Sequence, residues 1–449
     1  MNASAISFGR QVLPKVDTYQ SWGRYPRARA AWVSTPAWPD EVACALERPE
    51  LSLAYGLGRS YGDVCLNDRG HVVDMSGLDR IIRFDAETGW VHCESGVSFA
   101  DLLDVIVPQG WFLPVTPGTK FVTVGGAIAN DVHGKNHHCA GTFGCYVKAI
   151  DLLRSDGKVR RCSREQNPEL LSATIGGLGL TGIILSAEFQ LRRISSAFID
   201  VESIPFRGLP EFLALTAESE TEGFEYTVAW ADCLARTPRG IFYRGNHSLE
   251  NDLGKKALAR PGAKMRFPLP AFVLNPWTIK GLNAAYYWMK TLRRRKATVH
   301  YNSFFYPLDS VRQWNLMYGK HGFLQYQCVV PEESVKALEH ILRRTGESHQ
   351  GSFLTVIKRF GQKGSPGLLS FPRPGITLTL DFPFCGEKTL QLLETFDRIV
   401  VDSGGALYAA KDARMSPAAF EASYPALDRF CRYLDPKLSS SFWRRVSAS

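Results

Sequence analysis

Short apolar runs broken by turn residues fill the first third of the chain, and most of them carry the two-residue period of strands. Residues 51–55, 71–75 and 81–84 read as strands, and Asp85-Ala86-Glu87-Thr88-Gly89 reads as a hairpin turn returning through a strand at 90–94. The period then lengthens. Phe99, Leu102, Leu103 and Ile106 recur at helical spacing behind Ser98, an N-cap residue, and Pro108 and Gly110 end the helix. From residue 113 to 130 no period survives, which predicts a long irregular glycine-rich stretch. A second hairpin follows, 150–153 and 158–160 around Ser155-Asp156-Gly157, then a helix over 169–173, a glycine cluster at 176–182 and a strand over 183–191. Beyond about Arg193, aromatic strand-like segments (226–230, 240–244, 323–330, 375–382) alternate with helical ones (331–345, 388–402), the pattern of an α+β unit with a mostly antiparallel sheet.

Composition narrows the class. With 449 residues, 45% hydrophobic and 22% charged, the chain is long enough for two or three ordinary globular domains. No run of about 18 apolar residues predicts a membrane span, and residues 1–12 lack the apolar core of a signal peptide. A cytoplasmic protein, or one at a membrane surface, is therefore expected. The ten cysteines are scattered without metal-ligand spacing, as free thiols in a reducing compartment would be. The net charge of +9 comes from one place: residues 253–300 hold eleven Lys and Arg and no Asp or Glu, while the rest of the chain is nearly balanced. So local a positive charge argues against a nucleic-acid-binding surface.

The chemistry begins at Gly56-Leu57-Gly58-Arg59-Ser60-Tyr61-Gly62. Three glycines in seven residues after a strand let the backbone curl and aim its N–H groups at one point, a nest suited to a pyrophosphate. Then come Pro117-Gly118-Thr119, Val124-Gly125-Gly126-Ala127, His133-Gly134-Lys135 and Gly176-Gly177-Leu178-Gly179-Leu180-Thr181-Gly182. In this order the motifs resemble the vanillyl-alcohol-oxidase-type (PCMH-type) FAD-binding family. Residues 130–138, 322–327, 358–361, 381–383 and 407–412 carry a closer resemblance, to the branch of that family that oxidises polyprenylphosphoryl ribose in actinobacterial cell-wall arabinan synthesis.

The resemblance implies an FAD-binding domain over 1–194, completed by a C-terminal segment over 404–449, with an α+β substrate domain with an antiparallel sheet over 195–403. It implies a cofactor lined by Gly56, Gly58, Arg59, Ser60, Tyr61, Gly62, Gly118, Thr123, Gly125, Gly126, Asn130, His133, Gly134, Ile184, Tyr408 and Lys411. Many relatives tether the flavin through a histidine after the glycine turn. Tyr61 holds that place, so non-covalent FAD is expected. Alcohol oxidation needs a proton acceptor and positive charge beside the flavin. Lys411 leads for this work, as base or as electrostatic anchor, with Tyr61 and His133 as rival acceptors. His133, His137 and His138 lack further ligands at metal spacing, so no metal is expected.

Lys135 and Lys358 are candidates for a phosphate-bearing sugar, Gln325 and Gln327 share one face of a strand, and Trp230 offers a stacking surface. Thr377 and Thr379 stand where the branch has Asn and Cys, which predicts resistance to inhibitors that modify that cysteine. The implied reaction is oxidation of a 2′-hydroxyl to a keto sugar, the first half of an epimerisation. An NAD(P)H-dependent keto-sugar reductase would finish it, and quinone or oxygen would reoxidise the flavin. The same fold acting on a free sugar, an alditol or a lactone is the alternative. The basic, aromatic segment 265–300 (Phe267, Phe272, Val273, Leu274, Trp277, Ile279, Leu282, Tyr286, Tyr287, Trp288, Met289, ending in Arg293-Arg294-Arg295-Lys296) fits a membrane surface; a loop or a protein contact is its plain alternative.

Overall fold

The computed structural model describes residues 19–447 except 236–237, 251, 254–262, 271–274, 293–294 and 352. Phe272, Val273, Leu274, Arg293 and Arg294 of the basic segment, and residues 1–12, therefore lie outside the described residues. No described helix is long and apolar enough to cross a membrane.

Near the N-terminus, Trp32–Ser34 and Ser52–Tyr55 flank His71–Asp74 in a parallel three-stranded sheet. A five-stranded antiparallel sheet follows, in the order Ile81–Phe84, Trp90–Glu94, Ile183–Gln190, Val147–Leu153, Val159–Ser163. The helix Phe99–Ile106 begins where the Ser98 hydroxyl accepts from the Asp101 N–H, and it ends at Gly110, whose φ of 82° suits glycine. Its Phe99, Leu102, Leu103 and Ile106 are buried against Val91, Cys93, Ala187 and Phe189. Each such side chain contributes roughly 1.5–3 kcal/mol.

The irregular stretch expected over 113–130 is corrected in one place: Val124–Ala129 is a helix. Glycine disfavours helix intrinsically, but tertiary burial outweighs propensity. Val124, Ala127 and Ile128 are buried, and the Thr123 hydroxyl caps the Gly126 N–H at 3.1 Å.

The larger sheet has eight strands, all antiparallel, in the order Lys296–His300, Phe198–Arg207, Arg239–His247, Tyr226–Asp232, Thr355–Phe360, Gly375–Pro383, Phe323–Val330, Ala406–Leu407. The strand period sorts its residues onto two faces. Leu324, Tyr326, Cys328, Ile357, Leu378 and Leu380 join the core formed with the helices Gly208–Thr221, Lys336–Glu347 and Glu387–Asp402. The opposite face carries Trp230, Gln325, Gln327, Lys358, Thr377, Thr379 and Asp381.

Residues 406–447 bind these parts together. Ala406–Leu407 pairs with Phe323–Val330 at the sheet's edge. The chain then passes the glycine loop, where the Tyr61 N–H donates to the Ala410 carbonyl at 3.0 Å. A Cβ on Gly62 would stand 1.6 Å from the Asp412 carbonyl oxygen, so only glycine permits this approach. Further on, residues 437–439 run beside Ser52, and Arg445 forks onto Asp63 at 2.7 and 3.0 Å and reaches Asp412 at 2.9 Å. Arg445→Ala would leave two buried carboxylates without their counter-charge, a loss of about 3 kcal/mol or more. A markedly lower thermal midpoint is expected, measurable by circular dichroism.

Candidate active site

The glycine loop is a tight turn that admits no side chain at two positions. Gly58 has φ of 59°, and a Cβ there would strike the Tyr55 hydroxyl at 2.0 Å. A Cβ on Gly56 would strike the Thr123 hydroxyl at 2.4 Å. Among the described residues, the backbone N–H groups of Leu57 to Ser60 donate to no protein acceptor. Facing open space is Gly118, and Gly125 lies against Ser95. The Ser95 hydroxyl and the Asn130 side-chain oxygen are buried without a partner. Free N–H donors, orphaned polar atoms and walls that tolerate no side chain fit an extended phosphate-bearing cofactor such as FAD.

The side chains around this cradle have definite partners. Arg59 stacks its guanidinium 4.0 Å from the Trp22 ring centroid and donates to the Phe121 carbonyl at 3.0 Å, which commits it to the wall. Tyr408 stacks on Phe371 with centroids 4.5 Å apart and donates to the Asn130 carbonyl at 3.0 Å. Ile184 is buried in its strand.

His133 sits where the cradle meets the eight-stranded sheet. Lys358 Nζ donates to its Nδ1 at 3.1 Å, and the Gln327 amide faces its Nε2 at 3.0 Å. Both ring nitrogens of His133 are thus engaged, Nδ1 by the Lys358 amine and Nε2 by the Gln327 amide nitrogen. Burial, and then the Lys358 ammonium, hold His133 well below the usual imidazole range. Thr377 joins Gln327 at 3.2 Å. Lys358 also reaches the Gly134 carbonyl at 3.5 Å.

On the other side of this cluster, Lys411 places its Nζ 3.8 Å from the Tyr61 ring centroid. Burial pushes Lys411 down to about 7, while Asp381 acts in the opposite sense. Burial likewise lowers Lys135 and Lys358 to about 7. The Lys135 ammonium is held by the Phe304 carbonyl and lies over the Phe304 ring. Trp230 donates its indole N–H to the Phe353 carbonyl at 3.0 Å and meets Tyr286 edge-on at 4.7 Å, so it forms a wall. Thr379 is the cross-strand partner of Gln327.

The structure therefore gathers Tyr61, His133, Gln325, Gln327, Lys358, Thr377 and Lys411, and it leaves Arg59 and Lys135 occupied by protein groups. Sequence reasoning passed over two members. Asp381 is fully buried and accepts from Gln325 at 2.6 Å and Tyr318 at 3.1 Å. The alternation Thr377, Thr379, Asp381 would have put it on the site face; for Tyr318 no such signal exists. His137 and His138 point to separate partners, the Gly361 N–H and the Phe224 carbonyl, and no group of three or more His, Cys, Asp or Glu side chains that could hold a metal ion occurs among the described residues.

A model of the FAD binding domain matches residues 31–163, and with the cradle above it defines the chain as an FAD-dependent oxidoreductase. The chain belongs to the decaprenylphosphoryl-beta-D-ribose oxidase family: it is 36% identical over 430 residues to the Mycolicibacterium smegmatis enzyme of that name, covering 92% of each chain. It is also 29% identical over 178 residues to L-gulonolactone oxidase of Bos taurus, covering 38% of this chain and 40% of that one. D-lactate dehydrogenase of Anaerostipes hadrus is 28% identical over 153 residues, or 32% of this chain and 31% of that one.

Both nitrogens of His133 are engaged and Tyr61 stands after the glycine turn. Acid precipitation is thus expected to leave all flavin colour in the supernatant; flavin retained on the protein pellet would show a covalent tether.

Proposed function

We propose that this protein oxidises the 2′-hydroxyl of a polyprenylphosphoryl ribose to the 2-keto sugar, the first half of an epimerisation to the arabinose form. One observation carries the chemistry: Lys411, with its proton affinity lowered to about 7, lies against Tyr61 at the junction of the cofactor cradle and the polar sheet face. FAD, when bound, accepts the hydride from the carbinol carbon. The chain's own residues do the rest. Unprotonated Lys411 takes the hydroxyl proton, and an acceptor near the working pH is the efficient choice. Gln325, Gln327, Thr377 and Thr379 line one face with amides and hydroxyls matched to a sugar. Lys358 supplies positive charge for the phosphate, while Lys135 stays held by the Phe304 carbonyl. The carbinol loses two hydrogens, one as hydride and one as proton. Its ketone product suits an NAD(P)H-dependent reductase, and quinone or oxygen takes the electrons from the cofactor.

The lipid tail needs an exit. The helix Pro276–Leu292 packs Ile279, Asn283 and Tyr287 inward, and its Tyr286 touches the site-wall Trp230. At 100° per residue, its outward side carries Trp277, Trp288 and Leu292, exposed by 81%, 51% and 84%, flanked by Leu282 and Met289. In a segment free of acidic residues, this supports adsorption to an anionic membrane surface, with the protein cytoplasmic or peripheral.

Anaerobic bleaching of the flavin tests the substrate: polyprenylphosphoryl ribose should bleach it, and free ribose, alditols and lactones should not. Bleaching by a free sugar alone would assign the other class of substrate. The reduction rate should rise as pH passes up through about 7, because burial lowers Lys411 from the ordinary lysine range to about 7 and only its neutral form accepts a proton. Lys411→Met should slow reduction by about 100-fold or more. For the membrane, Trp277→Ser with Trp288→Ser should weaken sedimentation with anionic vesicles by about tenfold or more, and salt should weaken the unmodified protein similarly. Equal binding of the variant would reject the helix as the contact.

A further inference from the structure

We propose that Asp381 is a positioning residue that sets the protonation of Lys411 across the part of the site bordered by the Gln325 and Tyr61 side chains. The inference rests on the reading of Lys411 given above. Asp381 is 0% exposed at its place on Gly375–Pro383, directly across from Gln325. Both of its oxygens receive hydrogens, Oδ1 from the Gln325 amide at 2.6 Å and Oδ2 from the Tyr318 hydroxyl at 3.1 Å. Donation to both oxygens stabilises the carboxylate over the acid. Two residues before Gln325 on the same strand, Phe323 meets the Tyr61 ring edge-on with centroids 5.4 Å apart, and that ring lies 3.8 Å from the Lys411 Nζ. Carboxylate and amide on one side, aromatic ring and amine on the other, thus border the same part of the site.

No neighbour in sequence takes this part. Asp412, adjoining Lys411, is spent on Arg445 and on the N–H groups of Arg414 and Met415. The charges that face Lys411 are few: Asp381 opposes its loss of a proton, Lys358 favours it, and His133 beside Lys358 is neutral. Tyr61, in contact with the amine, is held protonated by burial. Burial raises Asp381 itself to about 7, with Gln325, Tyr318 and Lys411 working against that rise, so the pair titrates together around neutrality. Removing the carboxylate leaves Lys411 with only burial and a like charge, and its affinity for a proton must fall.

The test is competitive acetylation of the holoenzyme with acetic anhydride across pH, with Lys411 read by peptide mass spectrometry. The midpoint of its reactivity reports the amine directly and requires no substrate. Asp381→Asn is expected to move that midpoint down by about one pH unit or more, and Asp381→Glu to restore most of it. Tyr318→Phe, which keeps the carboxylate but removes one donor, should shift it by a smaller amount in the same direction. The pH profile of flavin reduction should move with the midpoint, whereas loss of a merely structural residue would lower the rate at every pH without moving it. An unmoved Lys411 midpoint in both Asp381→Asn and Tyr318→Phe overturns the proposal. A wild-type enzyme that no polyprenylphosphoryl sugar bleaches would instead overturn the substrate reading and leave the acetylation result standing.

Discussion

The site depends on how closely residues 408–412 lie between the glycine loop and the edge of the eight-stranded sheet. One backbone bond fixes each side: the Tyr408 N–H donates to the Gln327 carbonyl, and the Tyr61 N–H to the Ala410 carbonyl, both at 3.0 Å. Such bonds are worth only about 1 kcal/mol each. Their importance is geometric. They hold Tyr61, Gln327 and Lys411, all far apart in sequence, in one register. Gly62 has no alternative, because any Cβ would occupy the space of the Asp412 carbonyl. The loop that offers free N–H groups to a cofactor and the strand end that carries the lysine are thus positioned by the same contact.

That register concentrates amines where burial penalises them. Lys135, Lys358 and Lys411 all fall to about 7, and His133 is neutral. A fold selected for stability alone would place apolar side chains there, since buried charges seldom return their desolvation cost. Clustered, perturbed titratable groups beside an open cofactor cradle mark a site whose arrangement serves chemistry instead. The network is nevertheless ordered. Lys358 contacts His133, Gln327 links His133 to Thr377, and Gln325 holds Asp381. Each amide on the Phe323–Val330 strand therefore serves one half of the site.

Much of this was legible in the sequence, and the exceptions have a common physical cause. The strands 81–84 and 90–94, the capped helix after Ser98 and the antiparallel character of the second half follow from local period and turn chemistry. Gln325 and Gln327 could be placed on one face because strand period is local as well. The helix Val124–Ala129 was not legible: its stability comes from the burial of Val124, Ala127 and Ile128 against distant strands, and that outweighs two glycines. Tyr318 was equally hidden, since it lies in a short 3₁₀ turn, Trp314–Tyr318, whose direction is set by stacking on Phe323 and Phe353. Nor could local pattern show that Asp412, next to Lys411, answers to Arg445, thirty-three residues away in sequence.

The helix Pro276–Leu292 extends the argument from the site to its surroundings. Helices that are apolar on one side are satisfied by a single core, and those apolar all round are normally buried. This helix buries Ile279 and Tyr287 against the sheet yet still presents Trp277, Trp288 and Leu292 on its other side. The inward side also touches the wall of the site, through Tyr286 and Trp230, and from there Phe353 and Tyr318 lead to Asp381. An enzyme for a free, water-soluble sugar gains nothing from exposing two tryptophans beside its site. One that must take the polar head of a lipid-linked sugar while the tail stays in an apolar phase gains a surface that suits both ends of such a substrate, and the contacts from Tyr286 through Trp230, Phe353 and Tyr318 to Asp381 join that surface to the site.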